Sequence, residues 1–319
     1  MRVLVLGAGA LGSYFGGRLL EAGVAEEVAF LVRPGRRAQL ERDGLAIESP
    51  AGDFRAHPVR ALSPGEAGPG WDAVLLACKA YDLDAALEAI RPAVDGRTAV
   101  LPVLNGVAHL DRLEAEFGPG RVLGGLSNAG VALTPEGVAR QLTPQQHLQF
   151  GELDGRMSPR AGALASAFAG TAVQAEAVPD IRRRMWEKLA IFGTLAAANL
   201  LTRANLGEVA AAPGGAEWLE RLLRRTAAIA EAHGHPVRAE TMEGVYLPFL
   251  RGNPQATTSM LRDLEAGRRI EADHVLGFLL EAARRAGVPD ELHEAAYLHA
   301  KAYENRRNAG RLPSPPSGG

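Results

Sequence analysis

The glycine pattern that follows the first apolar run constrains the fold of this chain more than any other feature of its sequence. The run Val3–Leu6 has the composition of a buried strand, and Leu11, Phe15 and Leu19 recur afterwards at helical spacing. Between the two lies a G-x-G-x-x-G pattern, which consists of Gly7, Ala8, Gly9, Ala10, Leu11 and Gly12. A strand, a glycine-rich turn and a helix in this order predict the first unit of a doubly wound parallel sheet.

The three glycines of this pattern have separate roles when such a unit binds a dinucleotide. The first permits a tight turn, the second lets the backbone approach the pyrophosphate, and the third lets helix and strand pack closely. The N–H groups at the start of the helix then face the phosphates. The sequence therefore predicts a dinucleotide site at residues 7–12, and a glycine-rich turn without a ligand is the alternative.

The residue after the second predicted strand, Val28–Val32, bears on the choice of dinucleotide. A NAD-type site has Asp or Glu there, about 20 residues after the glycines, to bind the ribose hydroxyls. Here Arg33 occupies that place, and the stretch 33–37 has three guanidinium groups and no carboxylate. A guanidinium meets a 2′-phosphate through charge-assisted, forked hydrogen bonds. The sequence thus predicts NADP(H) as cofactor, with a solvated basic loop as the alternative.

The predicted elements change in type along the chain, whose 319 residues are too many for a single core of about 150. The first half alternates β-rich runs and helical patterns, with strands predicted at Val3–Leu6, Val28–Val32, Ala73–Ala77, Thr98–Leu104, Val122–Leu126, Gly130–Leu133 and Leu148–Gly151 and helices at Leu83–Ile90 and Ala108–Phe117. From Asp180 onward the patterns are helical, at Ile181–Leu201, Glu217–His233, Met260–Glu265, Ile270–Ala286 and from Glu291 to about Arg307.

These patterns predict an α/β fold class, with an N-terminal Rossmann-type doubly wound sheet and a C-terminal all-α domain. Pro179 marks the junction, because proline keeps its predecessor extended and Asp180 can cap a new helix. We expect residues 1–178 to bind NADP(H) and residues 179–310 to bind substrate and provide any dimer interface. Residues 311–319 are expected to form a disordered tail.

Composition argues against several other classes of protein. The 35 basic and 37 acidic residues give a net charge of −2, which does not favour a nucleic-acid partner. The single cysteine, Cys78, excludes an internal disulfide framework and a cysteine zinc site, and the eight histidines show no metal-ligand spacing. The longest conspicuous uncharged run, Leu189–Thr202, is shorter than the roughly 20 residues that span a bilayer. We therefore expect a cytoplasmic protein without a metal or a membrane segment.

Several separated motifs follow the glycine pattern in a specific order. They are Cys78-Lys79-Ala80, Leu104-Asn105-Gly106, Trp186-Glu187-Lys188-Leu189, Ser259-Met260-Leu261-Arg262-Asp263 and Arg268-Arg269-Ile270-Glu271-Ala272-Asp273. With these motifs the chain resembles the ketopantoate reductase (2-dehydropantoate 2-reductase) family over nearly its whole length. The resemblance implies NADPH-dependent reduction of a small 2-oxo acid to a 2-hydroxy acid. The best candidate substrate is 2-dehydropantoate, which is reduced to pantoate in pantothenate biosynthesis. We also consider a homodimer.

The resemblance also assigns roles to five polar residues. Lys188 resembles the catalytic acid and Glu271 the carboxylate near it, Ser259 matches a substrate-binding serine, and Lys79 and Asn105 match contacts to cofactor, substrate or the lysine. The chemistry of the reaction supports the role of Lys188, because hydride addition to a ketone leaves an alkoxide that needs a proton donor. Each of four residues also has an alternative, purely structural interpretation. These are a solvated lysine at Lys188, a surface carboxylate at Glu271, a helix cap at Ser259 and a simple turn at Asn105.

Two positions depart from the family pattern. Members matched to ketopantoate often have asparagines four and eight residues after the lysine, where this chain has Phe192 and Ala196. Apolar side chains there remove hydrogen-bond partners from a hydroxylated substrate. A less polar 2-oxo acid is therefore an alternative substrate. A 3-hydroxyacid dehydrogenase and a non-catalytic NADP(H) sensor are the alternative functions.

Overall fold

The computed structural model describes residues 1–312, which divide into two compact units. The first unit comprises Met1–Asn105 and His109–Arg182, and the second comprises Gly106–Ala108 and the residues from Arg183 onward. Residues 313–319, most of the tail expected at 311–319, lie outside the described residues. Across residues 1–312, no helix is long and apolar enough to cross a membrane.

Strands and helices alternate in the first unit, as the sequence predicts. Its strands are β1 (Arg2–Leu6), β2 (Glu27–Leu31), β3 (Leu45–Glu48), β4 (Phe54–Ala56), β5 (Arg60–Leu62), β6 (Ala73–Leu76), β7 (Ala99–Pro102), β8 (Leu123–Leu133), β9 (Val138–Glu152) and β10 (Gln174–Ala177). Its helices are α1 (Ala10–Ala22), α2 (Pro34–Asp43), α3 (Leu83–Ile90), α4 (His109–Phe117) and α5 (Pro159–Ser166), with short 3-10 turns at Ala80–Asp82 and Arg91–Ala93.

Five of these strands form a fully parallel sheet in the order β5-β2-β1-β6-β7. The central strand β1 pairs through Leu4 with Ala29 of β2 on one side and with Val74 of β6 on the other. The chain runs from β1 outward through β2 and β5, then crosses back to β6 and β7. The direction of winding therefore reverses beside β1, which is where open α/β sheets bind their ligands, at the carboxyl ends of the strands.

The remaining strands form a second sheet in the order β10-β9-β3-β4, with β8 paired to β9 in a long antiparallel hairpin. The predicted strands Val122–Leu126 and Gly130–Leu133 prove to be parts of the single strand β8. Its register shifts between Ala129 and Val131, and Gly130 at the shift binds the Thr143 hydroxyl through its N–H at 3.0 Å. A glycine that looks like a break in the sequence is thus a local irregularity within one strand.

Helix α1 contacts strands of both sheets, and the two glycines in its middle make this possible. A Cβ at Gly16 would lie 2.5 Å from the Phe30 ring, and one at Gly17 would lie 2.6 Å from Ile47. Phe15 on the same helix is fully buried in the hydrophobic core of this unit. The core therefore extends across both sheets, and α1 packs into it through its middle.

The second unit is built from helices, and the predicted class of an α/β domain followed by an all-α domain is confirmed. The helices are α6 (Ile181–Thr202), α7 (Leu206–Ala211), α8 (Gly215–Ala232), α9 (Ala239–Thr241), α10 (Leu247–Gly252), α11 (Ser259–Glu265), α12 (Phe278–Ala286) and α13 (Glu291–Asn308). Two π-helical turns, Met242–Tyr246 and Asp273–Gly277, precede α10 and α12. The helix predicted over Ile270–Ala286 therefore begins with an irregular turn just after Glu271.

Candidate active site

The glycine loop starts directly after β1 and ends in the first turn of α1. Gly7 has φ +87°, a left-handed conformation that side chains disfavour, and its N–H donates to the Leu31 carbonyl at 3.0 Å. A Cβ at Gly12 would lie 1.8 Å from the Gly7 carbonyl oxygen, so strand and helix approach too closely for a side chain. A Cβ at Gly9 would meet nothing within 4 Å. The fold thus requires glycine at the first and third positions, whereas the backbone at Gly9 faces open space.

This open face has the features that a pyrophosphate needs. Gly9 is the N-cap of α1, and because it has no side chain it offers no side-chain acceptor to the N–H groups of the first turn. N–H groups of that turn are therefore left for another acceptor, and the helix dipole favours an anion at this end. The loop fits the phosphates of a dinucleotide by shape and by hydrogen bonding.

Two of the three arginines that follow β2 are engaged by neighbouring residues. Arg36 donates from Nε to the Ala8 carbonyl at 2.9 Å and from Nη2 to Ser13 Oγ at 3.1 Å, and burial lowers its pKa. Arg37 forms ion pairs with two glutamates at 2.7 and 2.6 Å. Arg36 therefore supports the glycine loop, and Arg37 is held by carboxylates. Of the three guanidiniums predicted for a 2′-phosphate, one belongs to an exposed residue, and the other two belong to half-buried residues.

That one is Arg33, which follows β2 by two residues and is the N-cap residue of α2. Its side chain is 73% exposed, and its Nη2 lies 3.0 Å from Oδ2 of Asp82. No sequence pattern links these two residues, which are far apart in the chain. An exposed guanidinium at the carboxyl end of β2 fits the contact expected for a 2′-phosphate.

Lys79 and Asn105 each lie three residues beyond a strand of the parallel sheet, β6 and β7 respectively. The Lys79 carbonyl accepts from the Asp82 N–H at 2.9 Å and so starts a short 3-10 turn. Gly106 has φ +81°, so the chain turns directly after Asn105, in agreement with the alternative interpretation of Asn105-Gly106 as a turn. Both side chains are half-buried. The predicted cofactor residues thus share one edge of the sheet, the carboxyl ends of β1, β2, β6 and β7.

Lys188 lies on α6 and is half-buried, with buried apolar neighbours at Met185 and Leu189. Burial lowers the pKa of Lys188 from its ordinary value to about 8. An ammonium group with this pKa is largely protonated at neutral pH and gives up its proton more readily than an exposed lysine. The catalytic role of Lys188 stays a prediction, as does the alternative of a lysine whose head reaches solvent.

An ion pair between a buried carboxylate and a half-buried arginine next to Lys188 holds this part of α6 in place. Glu187 accepts from Arg238 at Nε and Nη2, 2.7 and 2.6 Å away, and from the Arg238 backbone N–H at 3.0 Å. The Glu187 side chain is only 4% exposed. Trp186 stacks on His233 with ring centroids 5.3 Å apart. Sequence reasoning missed this support, because Glu187 and Arg238 are separated by 51 residues and share no motif.

The residues assigned to substrate and catalysis in the later motifs are Ser259 and Glu271. Ser259 is the first residue of α11, but the cap is Thr258, whose Oγ1 accepts from the Leu261 N–H at 3.3 Å. Glu271 is buried, with 6% exposure, and lies two residues before the π-helical turn. The ordinary interpretations, a capping serine and a surface carboxylate, are therefore both excluded. The catalytic and binding roles of these residues stay predictions.

The two positions that depart from the family pattern differ in exposure. Phe192 is half-buried, whereas Ala196 is fully buried. Further along α6, Asn199 is fully buried and ties the chain before α11 to this helix. Its Oδ1 accepts from the Thr258 N–H at 2.9 Å and its Nδ2 donates to the Ala204 carbonyl at 2.8 Å. This asparagine is committed to the fold and is not a spare substrate contact.

Within the described range 1–312, no group of three or more His, Cys, Asp or Glu side chains could hold a metal ion.

Comparison with known proteins places both regions in one family. The profile described as "Ketopantoate reductase PanE/ApbA" matches residues 3–155, and that described as "Ketopantoate reductase PanE/ApbA C terminal" matches residues 180–304. "Uncharacterized oxidoreductase YkpB" of Bacillus subtilis (strain 168) is 33% identical over 95% of this chain and 99% of its own length. The 2-dehydropantoate 2-reductase of Halobacterium salinarum is 30% identical over 89% of this chain and 92% of its own.

A solved structure extends the comparison at the level of the fold. The ternary structure of D-mandelate dehydrogenase with NADH and anilino(oxo)acetate has a TM-score of 0.83 and 20% identity, covering 97% of this chain and 99% of that one. The matched profiles and the full-length relatives together show that the chain belongs to the ketopantoate reductase PanE/ApbA family of oxidoreductases.

Proposed function

We propose that this reductase uses NADPH to convert a 2-oxo acid into a 2-hydroxy acid, with 2-dehydropantoate as the first candidate substrate and pantothenate biosynthesis as its pathway. The observation that carries the proposal is Lys188, a half-buried lysine whose pKa burial lowers to about 8. Such a group suits the protonation of a carbonyl oxygen at neutral pH. Arg33, exposed and in the place of a NAD-type carboxylate, supports NADPH over NADH.

Each group of candidate residues has a separate role in this reaction. A bound nicotinamide supplies the hydride. The loop 7–12 binds the pyrophosphate, Arg33 binds the 2′-phosphate, and Lys79 and Asn105 contact cofactor and substrate. Lys188 Nζ stabilises the negative charge that develops on the carbonyl oxygen and delivers a proton to it.

Two buried or half-buried side chains complete the assignment. Glu271 is the second catalytic group, a buried carboxylate near the start of α12, and Ser259 binds the substrate through its hydroxyl. The hydroxyl suits this role because Thr258, and not Ser259, caps α11. We assign residues 1–178 to cofactor binding and residues 179–310 to substrate binding.

A less polar 2-oxo acid is the second candidate substrate. Phe192 and Ala196 occupy positions where a hydroxylated substrate would need hydrogen-bond partners. An aromatic oxo acid analogue, anilino(oxo)acetate, is the ligand of the structurally similar D-mandelate dehydrogenase. Phe192 would favour such a substrate by apolar contact.

A substrate panel tests the proposal. The purified protein is mixed with NADPH or NADH and with 2-dehydropantoate, branched aliphatic 2-oxo acids and phenyl-substituted 2-oxo acids, and loss of the reduced cofactor is followed by absorbance. The highest kcat/KM for 2-dehydropantoate supports the first candidate, and the highest value for an apolar acid supports the second. Tight NADPH binding without turnover of any 2-oxo acid would contradict the proposal and favour a sensor. If the protein instead oxidises a 3-hydroxy acid with NADP and reduces no 2-oxo acid, the result favours a 3-hydroxyacid dehydrogenase.

A further inference from the structure

The carboxylate of Asp82 meets the proposed phosphate-binding arginine across the centre of the parallel sheet. Arg33 follows β2 and Asp82 follows β6, and these strands flank β1 on opposite sides. The 3.0 Å contact between Arg33 Nη2 and Asp82 Oδ2 therefore spans the carboxyl end of β1, where the glycine loop starts. The pair lies where the sheet reverses its winding, which is the ligand-binding crevice of this architecture.

Asp82 lies where a 3-10 turn continues into α3. Its φ of −103° and ψ of 7° are not the extended conformation of a capping residue, and its side chain makes no cap hydrogen bond to α3. The carboxylate faces Arg33. The side chains are 73% and 30% exposed, and ion pairs that are this accessible contribute little to stability. Folding therefore gains little from the pair, and both side chains are accessible to a ligand in the crevice.

We propose that Asp82 sets the choice of dinucleotide by opposing Arg33. Its carboxylate competes with the 2′-phosphate of NADPH for the guanidinium and accepts hydrogen bonds from the adenosine ribose hydroxyls of NADH. The inference rests on the proposed binding of a dinucleotide at the glycine loop. In a NAD-type site the ribose carboxylate follows the second strand, whereas here it comes from the β6 side of the crevice. Asp82 thus narrows the preference for NADPH that Arg33 creates.

The charge of a 2′-phosphate makes this effect measurable. A phosphate monoester carries more than one negative charge at neutral pH, and a carboxylate within a few ångströms repels it. Arg33 also has to leave Asp82 before it can bind the phosphate. For a solvent-accessible site we expect removal of the carboxylate to tighten NADPH binding by about 3–10-fold. The loss of an acceptor for the ribose should weaken NADH by about 2–5-fold.

The test is a titration of the full-length protein with each cofactor in the absence of substrate. Asp82→Asn keeps the shape of the side chain and removes its charge, and dissociation constants for NADPH and NADH are measured by calorimetry. We expect the ratio of Kd for NADH to Kd for NADPH to rise by about tenfold, and by less at high salt. Asp82→Ser serves as a second neutral variant, and thermal melting verifies that each variant is folded.

Asp84→Asn is the matched control. Asp84 lies in the first turn of the same helix, is 87% exposed, and faces Arg112 at 3.6 Å instead of Arg33. Its neutralisation should leave both dissociation constants unchanged. If the Asp82 variants bind both cofactors with the wild-type ratio, the inference is overturned while the proposed function stands. If the wild-type protein binds neither cofactor, the proposed function fails as well.

Discussion

Lys188 combines partial burial beside apolar residues of α6 with a proton that it can give up near neutral pH, and the second property follows from the first. Burial lowers the pKa of its ammonium to about 8 by disfavouring the charged form. If Lys188 is the acid, the protein has to carry the proton before reduction. The protonated fraction of this single residue then sets the pH range of the reaction.

We expect Lys188→Ala to lower kcat by about 10²–10⁴, with the Kd for NADPH nearly unchanged. In the wild type, reduction should be fastest below about pH 8 and should fall as pH rises through that value, because the ammonium form is lost. Lys188→Arg is the control, since a guanidinium stays charged over this range and the alkaline decline should disappear together with most of the activity. Wild-type turnover in Lys188→Ala would remove the proposed mechanism.

Arg33 gives a second prediction at the scale of one side chain. Losing a charge-assisted contact to a phosphate costs about 1.5–3 kcal/mol, so Arg33→Ala should weaken NADPH by about 10–100-fold and NADH only slightly. Arg42→Ala is a suitable control, because Arg42 is 70% exposed on the same helix and pairs with Asp43. An unchanged Kd for NADPH in Arg33→Ala would refute the role of Arg33.

At the scale of elements, the strand-turn-helix unit at the N-terminus separates the needs of the fold from those of the ligand. A Cβ at Gly9 meets nothing within 4 Å, so Gly9→Val should fold with a Tm close to that of the wild type and should lose NADPH binding. A Cβ at Gly12 lies 1.8 Å from a backbone oxygen, so Gly12→Ala should lower the Tm directly. Melting curves and NADPH titrations of both variants check this contrast. An unchanged Kd in Gly9→Val would mean that the loop is not the phosphate site.

Elements with strong local signals were predictable from the sequence, and those that depend on distant partners were not. Periodicity predicts α3 at its observed bounds, Leu83–Ile90, and four of the five parallel strands, β1, β2, β6 and β7, to within a few residues. The sequence patterns predict no helix at α2, whose first residues belong to the basic stretch 33–37, although Pro34 at its first position is a start signal. The short strands β3 to β5 carry little pattern of their own and are defined by their pairing with neighbours.

The candidate site shows the same limit. Motifs identify the glycine loop and the lysine helix, because each lies in one continuous stretch. The pairs Glu187–Arg238 and Arg33–Asp82 join residues that are remote in sequence, so they emerge only when strands and helices are assembled. The burial of Glu271 and the commitment of Asn199 to the fold likewise depend on packing, which one sequence does not reveal.

At the scale of the whole molecule, both units have a core of buried apolar side chains. The first is centred on an apolar cluster that extends across both sheets. The second contains a line of polar groups, in which Thr194 Oγ1 lies 3.2 Å from Thr226 Oγ1, which in turn lies 3.1 Å from Nε2 of His293. All three side chains are fully buried. Stability of the second unit should therefore depend on the protonation of one interior imidazole.

His293 is kept neutral by its surroundings, and this leads to a prediction about global stability. Burial lowers the pKa of His293 to about 4, and its Nδ1 has no hydrogen-bond partner among residues 1–312 that could accept a second proton. In the unfolded chain an imidazole titrates near 6.5.

As pH falls from about 6.5 to 4, the imidazole of the unfolded state becomes protonated while that of the folded state stays neutral. The free energy of unfolding should therefore decrease by on the order of 3 kcal/mol. Urea unfolding followed by tryptophan fluorescence at about pH 7, 6, 5 and 4 measures this loss. His293→Gln keeps a polar side chain without a titrating proton, so its stability should be lower at neutral pH and should decline less steeply on acidification. The same slope in both proteins would show that other groups, and not His293, control the acid sensitivity.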